Sequence, residues 1–400
     1  MNFFVSARKV LQQNIREYGM YIALFVIMAI FTITTGGTFI SSRNIVNLVN
    51  QTGYIAVLAV GMTLVIIIRQ IDLSVGFLAG FLGALAAIMM ADPKLIAGGL
   101  NLPIYAVIPL TLLLGVIAGL LTAFLVAQMK IPSFVASLAG WLIYRGAILV
   151  VTESTGTIII ANDAFNAIGN GFIPDIPGIS ILPGVHKLTL ILGVLAVGLL
   201  IFNEINDRRK KQSYNFEVLP NEIFALKLIF LAVVIGGITW VLAGYKGLSW
   251  TAVIVLVVTL IYNFIMSQTI LGRHIYAIGG NPDAAELSGI SVKRLVYVVF
   301  GSMGMLSALS GILFASRLQS ATTTAGTLFE LDAIAAAYVG GVSAAGGVGK
   351  VVGSIIGALV MTSLTSGMNL MGIGISYQYM VRGAVLAAAV IFDVMTRGKG

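Results

Sequence analysis

The chain has 400 residues, 58% of them hydrophobic and only 10% charged, with a net charge of +8. Soluble domains carry about a quarter charged residues, so this chain cannot cover a globular surface with polar groups, and a polytopic membrane protein is what remains. The lack of cysteine excludes disulfide and thiolate chemistry, and the basic excess reads as loop charge under the positive-inside rule, not as a nucleic-acid surface.

Crossing the hydrocarbon takes roughly 20 apolar residues in a helix, because lipid satisfies no backbone polar group. The basic start, with Arg8, Lys9 and Arg16, reads as a cytoplasmic arm over 1–18 without a cleavable signal. Apolar spans are predicted over about 19–39, 54–68, 73–91, 103–127 and 134–151, with a polar, helical-looking link over 41–53. Residues 152–186, rich in Thr, Asn, Gly and Pro, read as an external loop. A span over about 188–202 leads into the densest charge cluster, 203–222, which holds Arg208, Arg209, Lys210 and Lys211. Spans over about 223–242 and 250–266 follow, then a polar break over 272–294 and a span over about 295–315. After a polar link come a short apolar piece, 332–342, and spans over about 351–370 and 380–394, giving about twelve membrane segments in a single transmembrane domain over 1–400.

Charge sets the orientation. With the N-terminus inside and strict alternation, 16 of the 23 basic residues fall inside, and residues 152–186 fall outside. The seven on the outer side are Arg43, Lys94, Arg145, Lys187, Lys246, Arg317 and Arg382. Both termini are then cytoplasmic. The four segments from the second to the fifth start outside and the last four start inside. Equal blocks of opposite orientation are the mark of inverted repeats, with the sixth and seventh spans as an inserted pair. The fold class is all-α, a polytopic transmembrane helical bundle.

Few carboxylates lie in the apolar parts. Asp72 stands in IDLSVG, and Glu330 and Asp332 in ELDAIAAAYVGG. Intramembrane carboxylates are costly and usually face a cavity or a partner. The competing reading is a helix N-cap before each apolar run, and both hold together where broken helices line a route. Arg69 is the obvious charge partner for Asp72. The glycines crowding 340–357 read as close helix packing. GGVGK fails the phosphate-loop pattern, with Ala344 where the first glycine belongs and Val351 where a Ser or Thr would hold magnesium. His186 and His274 have no ligand spacing, so no metal site is expected, and no triad or carboxylate pair recommends catalysis. Trp240, Tyr245 and Trp250 read as interfacial anchors.

Within the polar break, Pro282 marks a helix start, Asp283 and Glu286 occupy its first turns, and Gly289 is a stop signal. That is a short cytoplasmic helix of about two turns between two spans. Asn281, Ala284, Ala285, Leu287, Ser288 and Gly289 resemble the coupling helix of ATP-binding cassette importer permeases of the ribose, xylose and galactose branch. GMTLVII at 61–67, IDLSVG at 71–76, ELDAIAA at 330–336, GALV at 357–360 and GMNLMG at 367–372 resemble that branch's other signatures in order and spacing. The resemblance covers nearly the whole chain. Three departures stand out: Arg69 and Gln70 replace a Gly pair, GGVSAAGG replaces a GGTSLFGG-like segment, and the inserted pair lengthens the chain. That length resembles xylose and multiple-monosaccharide permeases.

The resemblance implies a permease subunit that pairs with itself in a bacterial inner membrane and imports a monosaccharide, D-xylose or a mixed pentose and hexose range. Cytoplasmic ATPase subunits would dock on Asn281, Pro282, Asp283, Ala284, Ala285, Glu286, Leu287, Ser288 and Gly289. An extracytoplasmic sugar-binding protein would deliver the cargo. ATP and magnesium would belong to the ATPase, so the chain itself is no enzyme and holds no cofactor; its other surroundings are lipid, and no nucleic acid is implied. Pathway or gating candidates are Arg69, Asp72, Ser74, Gly76, Glu330, Asp332 and Asn369. A permease for a nucleoside or a branched amino acid shares the coupling logic and stays open. An ion-coupled secondary transporter would need paired carboxylates or a proton relay. A membrane enzyme or scaffold would need a catalytic cluster or a large soluble domain.

Overall fold

The computed structural model describes residues 15–397 except 95, 97, 154, 178–183 and 217. Residues 1–14 of the expected arm, residues 178–183 of the expected external loop and Glu217 of the charge cluster lie outside it. The chain divides into two compact units. One joins Ile40–Asn47 with Phe172–Ser249; the other holds Arg16–Phe39, Leu48–Gly171 and the chain from Trp250 onward.

The elements follow the apolar runs. α1 (Ile15–Thr34) stops at Gly36 and Gly37, both at positive φ. The expected link over 41–53 and the next span are one helix, α2 (Ser42–Ile67), because no proline interrupts them and Thr52 Oγ1 bonds back to Leu48 O at 2.7 Å. α3 (Val75–Met90), α4 (Ile104–Ala127) and α5 (Ser133–Thr152) fall on their predicted runs.

The 152–186 stretch is more ordered than a plain loop. It contains β1 (Thr157–Ile159) and α6 (Asp163–Asn170), which is too short to show a period in sequence but is capped by Asn162 and buries Phe165. α7 (Lys187–Ser213) runs through the RRKK cluster, since Lys and Arg are good helix formers and suit a helix C-terminus. α8 (Asn221–Ala243) and α9 (Trp250–Gln268) come next.

The polar break over 272–294 is also mostly helical. α10 (Ile270–Gly280) is capped by Thr269 and hides Ile275 and Ile278, an i, i+3 stripe among His, Arg and Tyr. α11 (Pro282–Leu287), α12 (Val292–Leu318), β2 (Ser320–Thr322), α13 (Phe329–Val339), α14 (Val351–Leu370) and α15 (Ile375–Arg397) complete the chain.

Among the described residues nine helices are long and apolar enough to cross a membrane, with the shorter apolar stretches Gly19–Thr34 and Val75–Met90 beside them. With the 11-residue α13, these make up the expected twelve segments of a polytopic helical bundle.

The smaller unit is the expected inserted pair, α7 packed along α8. Only 6% of the most apolar window of either helix is buried, so both leave most of their apolar side chains exposed or half-buried. In the larger unit, α2–α5 and α12–α15 repeat one pattern. The short second helix of each run packs on the third and fourth. α12 crosses α3 and α4 of the first run. In return α2 crosses α13 and α14, where Thr63 Oγ1 meets Ser354 Oγ at 2.5 Å and Ala56 and Ala59 cluster with Ala336 and Ala358. The equivalent helices α2 and α12 run antiparallel: Ser310 Oγ donates to Tyr54 O at 2.9 Å, while Gly61 lies against Met303 and Leu306.

Small residues make these crossings close. A Cβ on Gly119 would collide with the Phe300 carbonyl, and one on Gly115 with the Gly304 carbonyl, so α4 and α12 touch backbone to backbone. The glycines of 340–357 divide in role. Gly340, Gly353 and Gly357 seat α13 on α14, whereas Gly341, Gly346 and Gly347 take positive φ in the turn before α14.

β1 pairs antiparallel with β2, joining at one end of the larger unit two segments predicted to share the outer face. At the other end, three segments predicted to share the inner face converge on Arg69.

Candidate functional site

The punctuated segment 281–289 is built from consecutive caps. The Asn281 N–H donates to Ala277 O at 3.0 Å, closing α10, while its Oδ1 accepts from Ala284 N at 3.1 Å, opening α11. One residue therefore ends one helix and starts the next, with its own backbone extended at φ −152°. Pro282 takes the first helical position, where its missing N–H costs nothing. Ser288 Oγ donates to Ala284 O at 2.8 Å, Gly289 turns the chain at φ 86°, and Ser291 caps α12. Ala285 is buried against the bundle, while Asp283, Glu286 and Leu287 face outward, Leu287 at 91% exposure.

Arg69 is not the partner of Asp72. It ends α2 in the left-handed conformation, φ 61°, and reaches the C-terminus of α10. Its Nε donates to Gly279 O at 2.7 Å and its Nη2 to Gly280 O. Those carbonyls have no helical partner and carry the negative end of the helix dipole, so a guanidinium suits them. The turn before α14 closes the junction: Gly347 N donates to Ile67 O at 2.9 Å, and Tyr276 Oη to Gly349 O at 2.7 Å. The end of α2, the helix leading into α11 and the glycine turn thus form one tied knot.

Deeper in the bundle the first turns of the two short helices meet. Gly76 in α3 has no room for a side chain, because the Glu330 carboxylate and the Gly326 carbonyl lie against it. Trp141 Nε1 donates to Glu330 Oε1 at 3.1 Å, and Glu330 Oε2 is buried without a hydrogen-bond partner. Asp72 does not cap α3. It accepts from Ser74 N at 2.9 Å and Ser74 Oγ at 2.6 Å, a local turn placed ahead of the helix. Asp332 does not cap α13 either; it sits in the first turn and accepts from Arg382 Nη2. Asn369 accepts from Gln378 Nε2 at 2.7 Å, a staple across the turn between α14 and α15.

Of the sequence candidates, the structure brings together Gly76 with Glu330 and Asp72 with Ser74, while Arg69 and Asn369 bond elsewhere. It adds Trp141 and Arg382, which sequence reading passed over. A lone arginine inside the apolar run 380–394 was the available signal. Among the described residues no group of three His, Asp or Glu stands together to hold a metal.

Residues 44–390 match the family described as "Branched-chain amino acid transport system / permease component". Similar curated proteins include the "Xylose transport system permease protein XylH" of Haemophilus influenzae, 38% identical over 96% of this chain and 98% of that protein. The protein of the same description from Escherichia coli is 37% identical over 96% and 93%. The "Ribose import permease protein RbsC" of Haemophilus influenzae is 34% identical over 94% and 93%. No solved structure matches the chain.

Proposed function

The chain belongs to the branched-chain amino acid transport system permease family, and from that premise we propose that it is the membrane permease subunit of an ATP-driven, binding-protein-dependent importer whose cargo is a pentose, D-xylose first. The observation that carries the cargo is full-length similarity: permeases named for xylose match at 37–38% and one named for ribose at 34%, over at least 93% of each. The family's description names amino acids, but these full-length relatives are named for pentoses.

In this reading the chain spans the inner membrane with both termini in the cytoplasm and pairs with a second copy. Two cytoplasmic ATPases dock on α11 and consume the ATP and magnesium, so hydrolysis is theirs and the chain holds no cofactor of its own. A sugar-binding protein docks on the outer face. The rigid caps around Asn281 and Gly289 make α11 a lever that does not fray when pushed. Arg69 carries the push into the end of α2, and the broken helices α3 and α13 are the parts free to shift. Glu330 against Gly76, and Asp332 with Arg382, then stand where the route opens and closes.

The test is reconstitution of the complete complex in proteoliposomes with labelled D-xylose, D-ribose and L-leucine. ATP-dependent D-xylose uptake is the expected result. Leucine uptake in place of sugar would favour the amino-acid alternative. Uptake by this chain alone, driven by an ion gradient, would sink the ATP-coupled reading.

A further inference from the structure

We propose that a cavity under the Asp332–Arg382 pair is a contact station for a neutral, hydroxyl-rich ligand on the outer half of the route, with that ion pair as its gate. The assignment rests on the sugar-importer reading and names residues for it.

A cavity of about 120 Å³ opens between α2, α13, α14 and α15. Its polar lining includes Gln51, Thr362, Thr365, Tyr379, Asp332 and Arg382. That lining gathers amide, hydroxyl and charged side chains in one place within a bundle whose largest buried cluster is apolar, and polar groups in this setting mark pathways. A void of this size holds several water molecules, and so the hydroxyl-bearing edge of a small sugar. The chemistry favours an uncharged polyol. Amide, hydroxyl, carboxylate and guanidinium groups together offer both donors and acceptors, and Asp332 and Arg382 neutralise one another. A net anion or cation would find no uncompensated partner in that set.

The gate follows from a second cavity of about 120 Å³, lined by Leu331, Ala335, Met361 and Leu386, which shares Leu328, Asp332, Tyr379 and Arg382 with the first. The ion pair is therefore a wall common to a polar chamber and a largely apolar one. Sugar hydroxyls that take over the bonds of Asp332 and Arg382 would part the pair and join the chambers. Arg382 also lies over the Tyr379 ring, 5.8 Å from its centroid, a resting place for the guanidinium when it leaves the carboxylate. The polar chamber borders Thr327 and Leu328, a few residues beyond β2 and so toward the end of the unit that carries the β1–β2 pair. This is the end predicted to face the incoming ligand.

Because the chain contains no cysteine, a single Thr365→Cys can report on the chamber in the assembled transporter. A small hydrophilic methanethiosulfonate reagent is expected to modify it from the outer side, and D-xylose supplied with its binding protein is expected to slow that modification. Gln51→Ala and Tyr379→Phe are expected to lower maximal D-xylose uptake about five- to tenfold, the effect of one lost hydrogen bond, while ATP hydrolysis persists. Asp332→Ala leaves the half-buried Arg382 without its carboxylate and is expected to assemble poorly, so the exchange Asp332→Arg with Arg382→Asp is measured beside it; restored assembly without restored uptake supports a gate. Thr365→Cys that stays unmodified, or that reacts at the same rate with and without D-xylose while uptake is intact, overturns the station. So does unchanged uptake in both Gln51→Ala and Tyr379→Phe. Failure of the unsubstituted complex to carry any pentose would instead remove the sugar reading, and with it the occupant.

Discussion

Arg69 shows how one backbone angle sorts alternatives at the residue scale. Its φ of 61° belongs to the region that glycine enters freely and other residues enter at a cost of roughly 1–2 kcal/mol. This chain accepts the strain and gains a guanidinium on the α10 carbonyls. Arg69→Gly is therefore expected to be milder than Arg69→Ala, because only the first relieves the strain that both leave without a clamp. Thermal unfolding of the purified chain should separate them by about 1 kcal/mol. A larger loss in the glycine variant would show that the strain is absent. Both variants are expected to lower sugar carried per ATP hydrolysed.

Asp175, bonded to the first residues of α7, gives a pH prediction at the same scale. The Leu188 amide, helped by those of Ile176 and Lys187, holds its carboxyl below the ordinary value, 3.8, at about 2. A lowered folded value means that its contribution is fully present above 3.8 and is lost as pH falls through about 2. Asp175→Asn should therefore destabilise the α7–α8 unit near neutral pH, and its difference from the parent should vanish in strong acid. A gap undiminished at pH 2 would contradict this.

At the scale of elements, α11 is short enough to depend on its caps. Losing the Asn281 side chain in Asn281→Ala should cost about 1 kcal/mol locally, visible as faster amide exchange over Ala284–Gly289. Leu287 contributes little to the fold, since it stands in the open. Leu287→Ala should leave unfolding unchanged and weaken association with the ATPase by about tenfold, the loss of one apolar anchor at an interface. Unaltered association would move the contact off this helix. The α4–α12 crossing makes the opposite prediction. Gly119→Leu drives a side chain into the Phe300 carbonyl and should destabilise the bundle by about 1–3 kcal/mol, with helix content kept and unfolding temperature lowered.

At the scale of the whole molecule, the basic loops set the proposed orientation. β1 meets β2 at one end and the Arg69 knot forms at the other, so the relative sidedness of those loops is internal to the larger unit. Lys210→Cys, placed in a chain without native cysteine, should react with an impermeant thiol reagent only after the cytoplasmic face is opened. Reaction from outside in intact cells would invert the proposed topology.

The sequence by itself determined that the chain is a helical membrane bundle, where most spans lie, that the sixth and seventh spans form a separate pair, and that 281–289 is a punctuated helix. These rest on local quantities: apolar run length, glycine and proline at fixed offsets, and charge counts. Tertiary structure decided the partners. A charge three residues away looked like the mate of Asp72, yet Arg69 turned to α10 and Asp72 closed on Ser74. Asp332 found Arg382, fifty residues along the chain. Polar segments read as loops folded as α6, α10 and the end of α7, because burial of a few apolar residues and a capping side chain outweighed their average polarity. Which polar group meets which is fixed by how helices cross, and crossings are set by contacts far apart in sequence that no local pattern records.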